Sequence, residues 1–493
     1  MTSTAYDAVP YPCAAYPQTH PDRLGTIATL YGMSPAPAEQ CRVLEIGCSD
    51  GGNIIPMAFA LPGSSFTGID LAARPIAAGR AFVERLGLRN ITLLQQDLAA
   101  PAVELGSFDY IIAHGLYAWV APPLQDRLLA VCGAQLAPQG VAFVSYNAYP
   151  GARVREMLRD MMLYHLRPYS EPKERIDEAK GLLRFLSRSW PEAAGLRHWI
   201  GKVADVSMKG KEGTLYHDEL NEEYRPAYFH EFVDHAARHG MQYLGEAEFF
   251  EMNDGSVPEE ALETLRRFGP EEFIQKEQYL DFLRCRMFRQ TLLCHREIAL
   301  TREIPSDVLP RFLVETRAHP SSRSQDPASG GEEEYQTSFG SKMATKDAVI
   351  QKLMARLEQD WPRAVAFRDL VGPEPAAAAL AGFVLRMFGS GLVDLRLNAA
   401  PFTLDPGERP EASRLARIQL EDRPRVTNLC HADLFIESPQ VRSLIRLLDG
   451  TRDRTALLRD LAGLGVPATA DGLEDGLRQL ARLALFPARG STL

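Results

Sequence analysis

The chain has 493 residues, 45% hydrophobic and 24% charged, the proportions of an ordinary globular protein with apolar material for a large core. Its length predicts two to four domains at about 100–200 residues each, and 37 Gly with 34 Pro exclude a collagen-like or wholly disordered chain. The net charge of −10 falls almost entirely in the first 300 residues, which excludes a general nucleic-acid binder and fits either a cationic substrate or mere solubility.

Three further absences follow from the same reading. No apolar run reaches the roughly 18 residues of a membrane span. The N-terminus has neither the basic head nor the apolar stretch of a secretory signal, so a cytoplasmic location is expected. The seven cysteines include no CxxC pair, so neither a disulfide framework nor a structural metal is expected.

From about residue 41 to 146, strand-like and helix-like runs alternate. Strands are expected at Arg42–Ile46, Ser65–Asp70, Ile91–Leu94, Phe108–Ala113 and Val141–Tyr146, with helices over Gly51–Ala60, Arg74–Leu86 and Leu124–Leu136. Such alternation predicts right-handed βαβ units and a parallel sheet. After Gly151, Val154, Met157, Leu158, Met161 and Met162 recur at helical spacing, opening a helical insertion over about 151–225. That stripe reads either as core or as an adaptable binding surface. Ala227–His239 is helical, and Gln242–Phe249 with Phe288–Cys294 could add an antiparallel edge pair.

The organisation expected is one unit over 1–300, with an N-terminal segment over 1–40. A connector follows over 301–341, centred on the polar stretch 319–341, and then a helical, winged-helix-like region over 342–493. The wing-like order is read at Lys346–Leu357, Ala376–Met387 and Leu392–Leu397.

The informative stretch is Val43 to Asn53, in which a strand turns sharply into a helix. Gly47 and Gly51 allow that turn and let backbone N–H groups approach a ligand. The spacing is not that of a dinucleotide loop, and no lysine sits where a phosphate loop needs one, so a nucleoside without a phosphate chain is the better ligand. The bland alternative is a tight turn that binds nothing. Glu45 precedes the loop, Asp70 ends the second strand where a carboxylate meets a ribose diol, and Asp97 follows the third strand where adenine would be read. Jointly the three point to S-adenosylmethionine.

With these residues in view, the chain resembles class I S-adenosylmethionine-dependent methyltransferases. More narrowly, it resembles bacterial members with a methyltransferase regulatory domain, among them rickettsial protein-lysine methyltransferases acting on outer-membrane surface proteins. The resemblance rests on Tyr6–Tyr11, Thr19–Pro21, His114–Val120, Ser145–Gly151, Tyr228–His230, Gly245–Ala247 and Phe288–Leu293, and continues more weakly at Leu447–Arg452. It implies a Rossmann-like α/β domain, S-adenosyl-L-methionine as cofactor and a protein substrate, with a homodimer left open. By position it assigns Glu45, Gly47, Asp50, Gly51 and Asn53 to the methionine and ribose side, Asp70 and Leu71 to the ribose, and Asp97 and Leu98 to adenine. Tyr11 and His20 would lie in a segment folded over the cofactor, or one that only packs on the sheet edge. His114 would face both cofactor and substrate.

The sulfonium methyl is already electrophilic, so alignment carries the reaction. A lysine acceptor must first lose a proton, which at pH 7 costs about 4.6 kcal/mol from an ordinary pKa of about 10.4. His114, Tyr117, Trp119, Tyr146 and Asn147 are the expected substrate-pocket residues. Each aromatic among them could equally be core, and His114 either a proton relay or a structural histidine. The sequence lacks the Asn/Asp-Pro-Pro-Tyr loop of many amine methylases. The rival readings are therefore a small-molecule O- or N-methyltransferase of secondary metabolism and a non-enzymatic binding module.

Overall fold

The structure is a computed structural model that describes residues 5–9, 11–100, 105–189, 197–253, 255, 257–322, 331–371 and 376–488. Five strands follow the expected βαβ run: β1 (Arg42–Ile46), β2 (Ser65–Asp70), β3 (Ile91–Gln95), β4 (Phe108–Ala113) and β5 (Leu136–Asn147). With β6 (Met241–Glu246) and β7 (Phe288–His295) they form a seven-stranded sheet of order β3-β2-β1-β4-β5-β7-β6. β1 to β5 are parallel, whereas β7 runs antiparallel to both β5 and β6. The antiparallel edge pair is thus present, and the fold is the expected Rossmann-like α/β arrangement.

The strands read as apolar runs because both faces are covered. Period-two alternation divides them: Tyr110 and Ile112 of β4 enter one core, Ile111 and Ala113 the other. The second core is closed by helices Pro122–Gln135 and Phe229–Arg238, through Leu128, Leu129, Phe232 and Ala236. Local signals fix the helix ends. Pro122 opens its helix, and Gly87, in the left-handed conformation, closes Ala73–Leu86.

The antiparallel pair is pinned from below by Arg289. Its guanidinium is fully buried, donates to Glu246 at 2.6 Å, Asp281 at 2.8 Å and Glu277 at 3.1 Å, and lies 3.8 Å from the Phe229 ring centroid.

The insertion is helical as expected, with helices Ala152–His165, Pro172–Ser189 and Arg197–Lys209 leading to a π-helical turn at Leu215–Glu219. It has its own core, in which Leu158 and Met162 are buried and Val154 and Met157 half-buried. The methionine stripe is therefore packing rather than an open binding surface.

Beyond residue 300 the structure corrects two expectations. The stretch 319–341 is not simply a connector. After β8 (Leu313–Thr316), strands β9 (Ala318–Ser322) and β10 (Glu333–Thr337) flank residues 323–330, which lie outside the described residues, and β11 (Lys342–Thr345) follows. Strands β9 to β11 form an antiparallel sheet whose buried contribution from β10 is only Tyr335 and Thr337, so a wet face gives the segment its loop-like composition. In addition, one core runs from Leu24 through the first face of the large sheet to Leu309, Val314, Val384, Leu395 and Leu429. Among the described residues, no separate hydrophobic core marks a boundary near residue 300.

The helices Ala348–Asp360 and Ala376–Gly389, read as the start of a winged helix, pack into that shared core, and β12 (Val365–Ala366) and β13 (Val393–Arg396) pair with β8. A distinct terminal core is built instead from helices Arg414–Asp422, Pro439–Leu447, Arg454–Gly463 and Ala470–Arg482, with the hairpin β14 (Arg425–Thr427) and β15 (Asp433–Phe435). No helix among the described residues is long and apolar enough to cross a membrane.

Candidate functional site

The C-terminal ends of β1, β2 and β4 meet at one edge of the sheet. Gly47 and Gly51 have φ of +80° and +79°, values that favour glycine, and carry the chain from β1 into helix Ile54–Ala60. The N–H groups of Gly47 and Cys48 both donate to Ile69 O, which ties the turn to β2. Asp70 braces it from the other side. Its Oδ2 accepts from Ser49 N and its Oδ1 from Ala72 N, both at 2.8 Å.

Glu45 is 4% exposed and accepts from Asn53 Nδ2 at 2.7 Å through Oε1, while Oε2 has no well-formed hydrogen bond among the described residues. Burial pushes its carboxyl up to about 8, opposed by the Asn53 hydrogen bond and reinforced by the charges of Asp70 and Asp50. Burial also raises Asp70. Asp50 Oδ1 accepts from Gly52 N at 3.0 Å and shapes the turn from within. Asp97 is exposed and caps its own turn by accepting from Ala99 N at 2.8 Å. Beside it Leu98 is half-buried, and Leu71, directly after Asp70, is 52% exposed.

The N-terminal segment crosses this edge. Asp7 Oδ1 accepts from Arg74 N at 2.9 Å, and the Tyr6 ring stacks on His217 of the insertion at 4.0 Å. Tyr11 donates to Asp218 Oδ2 at 3.3 Å. Tyr16 N donates to Asn53 Oδ1 at 2.9 Å, and its ring stacks on His114 at 4.0 Å. The segment therefore bridges helix Ala73–Leu86, the glycine turn and the insertion. Burial pushes Asp218 up to about 6 against the opposing charge of Arg155.

Several expected site residues are placed elsewhere. His20 does not join the strand-end carboxylates. It accepts from Asp22 N through Nδ1 at 3.2 Å, and its ring lies 5.4 Å from that of His431. Tyr117 and Tyr146 belong to the second core rather than to an open pocket. Tyr146 stacks on Phe232 at 4.2 Å, and the Tyr117 hydroxyl lies 2.9 Å from His235 Nδ1. Trp119 is already occupied by cations of this chain, with the guanidinium groups of Arg155 and Arg159 at 5.1 and 5.4 Å. Asn147 is buried, and its carbonyl accepts from Ala227 N at 3.2 Å. His114 does remain at the edge, between Tyr16 and Phe143, and burial lowers it to about 4, so it is neutral at pH 7.

Sequence reasoning missed Tyr16, Asp218 and His431. The aromatic density of the N-terminal segment signals Tyr16. Asp218 and His431 carry no local signal, because insertion and terminal packing bring them in.

A doubly wound sheet with a glycine turn after β1 and carboxylates at the ends of β1 and β2 defines a class I methyltransferase. Comparison with known proteins agrees. A methyltransferase-domain family model matches residues 43–140, a model described as a predicted methyltransferase regulatory domain matches 211–295, and a PKMT C-terminal winged helix domain model matches 408–485. Rickettsia prowazekii has an uncharacterized protein, RP789, that is 29% identical over 480 residues, covering 93% of this chain and 85% of its own. A second, RP028, is 31% identical over 241 residues, covering 49% of this chain and 96% of its own. The structure of PKMT2 from Rickettsia typhi in complex with AdoHcy superposes with a TM-score of 0.86 at 24% identity, over 97% of this chain and 100% of that one, and shows the shared fold.

The chain belongs to the S-adenosylmethionine-dependent methyltransferases with a methyltransferase regulatory domain. It is an enzyme of that class, with S-adenosyl-L-methionine as its cofactor. Its winged helix lies at 408–485, C-terminal to the place where the helix order suggested it.

Proposed function

We propose that this methyltransferase N-methylates lysine side chains of a protein substrate, of the surface or outer-membrane kind that the resemblance implies. The observation that carries the reading is the match of its C-terminal region to a winged helix domain described for PKMT proteins. The acidic first 300 residues and the buried carboxyl of Asp218 favour a cationic acceptor over a neutral one.

The residues at the strand edge fit the cofactor. Glu45 offers a cation a buried carboxylate oxygen that has no well-formed hydrogen bond among the described residues, and half-exposed Leu71 beside Asp70 offers an apolar surface to cover. When bound, the cofactor supplies a methyl group already activated as a sulfonium. In this reading Glu45, Gly47, Asp50, Gly51 and Asn53 hold the methionine side, Asp70 and Leu71 the ribose, and Asp97 with Leu98 the adenine. Tyr11 and Tyr16 cover the site from the N-terminal segment. Neutral His114, stacked on Tyr16, keeps the wall uncharged, so it does not repel an incoming ammonium group. Asp218 attracts that group, and its raised proton affinity makes it a better acceptor for the proton that lysine must lose.

The test is incubation with methyl-labelled cofactor and lysine-bearing surface proteins, followed by acid hydrolysis. Label in methyl-lysine supports the reading. Label only on small molecules or on carboxyl groups overturns it and favours the small-molecule O- or N-methyltransferase instead.

A further inference from the structure

Among the described residues, one group of histidine and acidic side chains converges closely enough to hold a metal ion. Asp126, His235 and His239 each present one ligand atom, and the three atoms lie within 4.8 Å of one another. The group sits between the two helices that close the second core and shares no residue with the strand edge.

Local sequence puts the donors together. His235 lies in the last turn of helix Phe229–Arg238, and His239, four positions on, is its C-cap, so both rings leave one face. Asp126 meets them from near the start of helix Pro122–Gln135. The helices approach closely at Gly133, where an added Cβ would stand 2.3 Å from His239 O.

Both imidazoles aim the same nitrogen at one oxygen. His235 Nε2 lies 3.1 Å and His239 Nε2 2.8 Å from Asp126 Oδ1. Ligands about 2.0–2.2 Å from an ion, at octahedral to tetrahedral angles, stand roughly 2.8–3.6 Å apart, and both spacings fall in that range. His235 Nδ1 is 2.9 Å from the Tyr117 hydroxyl, which orients the ring and leaves Nε2 to ligate, as second partners of metal-bound histidines do. The group also meets water: the side chains are 60% exposed at Asp126, 17% at His239 and 11% at His235, so an ion has a route in.

The donor set selects the ion. Two imidazoles and a carboxylate suit zinc and its neighbours, whereas magnesium and calcium prefer oxygen ligands throughout. Arg238 lies near enough to disfavour positive charge at His235, so a cation held by charge alone gains little here and coordination has to supply the affinity. Three protein ligands leave the fourth position of a tetrahedral ion to water. No cysteine takes part, so the lack of a CxxC pair does not bear on this site.

We propose that Asp126, His235 and His239 bind one divalent transition-metal ion of the zinc class. The two helices belong to the stretches matched by the methyltransferase-domain and regulatory-domain models. The ion therefore pins the second stretch to the first, and through Tyr117 it braces the segment that follows β4.

Calorimetry of the full chain, free of any affinity tag and stripped with a chelator, tests the site with Zn²⁺ alone. One ion per chain is expected to bind saturably, with Mg²⁺ about a hundredfold or more weaker. His239→Ala and Asp126→Asn, the latter keeping an acceptor for the rings, are each expected to weaken Zn²⁺ binding by about tenfold or more. Thermal unfolding without metal reports whether the variants keep their fold. Added Zn²⁺ is expected to raise the unfolding temperature of the wild-type protein by more than that of either variant. No saturable Zn²⁺ binding by the wild-type protein, or binding that either variant leaves unchanged, overturns the site and leaves a hydrogen-bonded triad. Thiolate charge transfer in the spectrum of the Co²⁺-loaded protein would place the ion on cysteine and overturn it as well.

Discussion

Nε2 of His431 lies 2.9 Å from Oδ1 of Asn53, so a residue of the winged helix reaches the entry of the helix behind the glycine turn. The same oxygen accepts from Tyr16 N, while Nδ2 donates to Glu45 at 2.7 Å and to Thr19 Oγ1 at 3.0 Å. A carboxylate on one side and a backbone N–H on the other fix which way the amide points. Asn53 thus joins the first strand, the N-terminal segment and the C-terminal region in one set of hydrogen bonds.

Replacing Asn53 by Ala removes partners from Glu45, His431 and Tyr16 together. A buried polar group left without its partner costs about 1–3 kcal/mol. Asn53→Ala is expected to lower the unfolding temperature clearly and to weaken cofactor binding tenfold or more. Thermal melts and calorimetry on the same preparation check both. A stable variant with normal cofactor affinity would show that the hub is not what steadies the loop.

Much of this architecture is legible in the sequence, and the exceptions share a cause. The strands at Arg42–Ile46 and Phe108–Ala113 declare themselves because both faces are largely buried and the runs are mostly apolar, Arg42, Glu45 and Asp109 apart. The glycine turn declares itself because few residues other than glycine tolerate its φ. Tyr117 and Tyr146 do not reveal whether they face a pocket or a core, because a buried ring looks the same in either place. The segment around β9 and β10 hides because a two-layer edge with one wet face has the composition of a loop. The contact between Asn53 and His431 spans 378 positions and leaves no local trace.

Asp70 braces the turn with two hydrogen bonds from backbone N–H groups and also stands where the ribose is proposed to lie. Charge-assisted hydrogen bonds contribute about 1.5–3 kcal/mol each. Asp70→Ala is expected to weaken S-adenosylmethionine binding by about 10- to 150-fold per lost bond. Calorimetry measures this directly, and unchanged affinity would refute the placing of the ribose.

Arg289 sits among three carboxylates with no access to water. Deleting the cation leaves buried Glu246 and Glu277 without its charge and Asp281 with Arg286 alone, at 2.7 Å. Breaking a buried pair in this way is strongly destabilising, by about 3–5 kcal/mol. Arg289→Ala is expected to lose that much stability, and Arg289→Lys to recover only part of it, since an ammonium group cannot reproduce the forked contacts. Denaturant unfolding of the three proteins orders them, and equal midpoints would contradict the account.

Glu45 makes the cofactor site sensitive to pH. Its ordinary value of 4.5 is pushed up to about 8 by burial in the folded, cofactor-free protein. Between those two values the folded state holds a proton that the unfolded state has released, so this group's contribution to stability falls as pH rises through that window. A positively charged cofactor reverses the preference and favours the ionised carboxylate. Binding below pH 8 must then expel a proton, and affinity is expected to rise by up to tenfold per pH unit before levelling off above the folded-state value of about 8. Calorimetry at pH 7 in two buffers of different ionisation enthalpy counts the released protons, with close to one expected. Glu45→Gln should abolish both the release and the pH dependence. If the wild-type protein releases none, Oε2 of Glu45 does not face the cofactor.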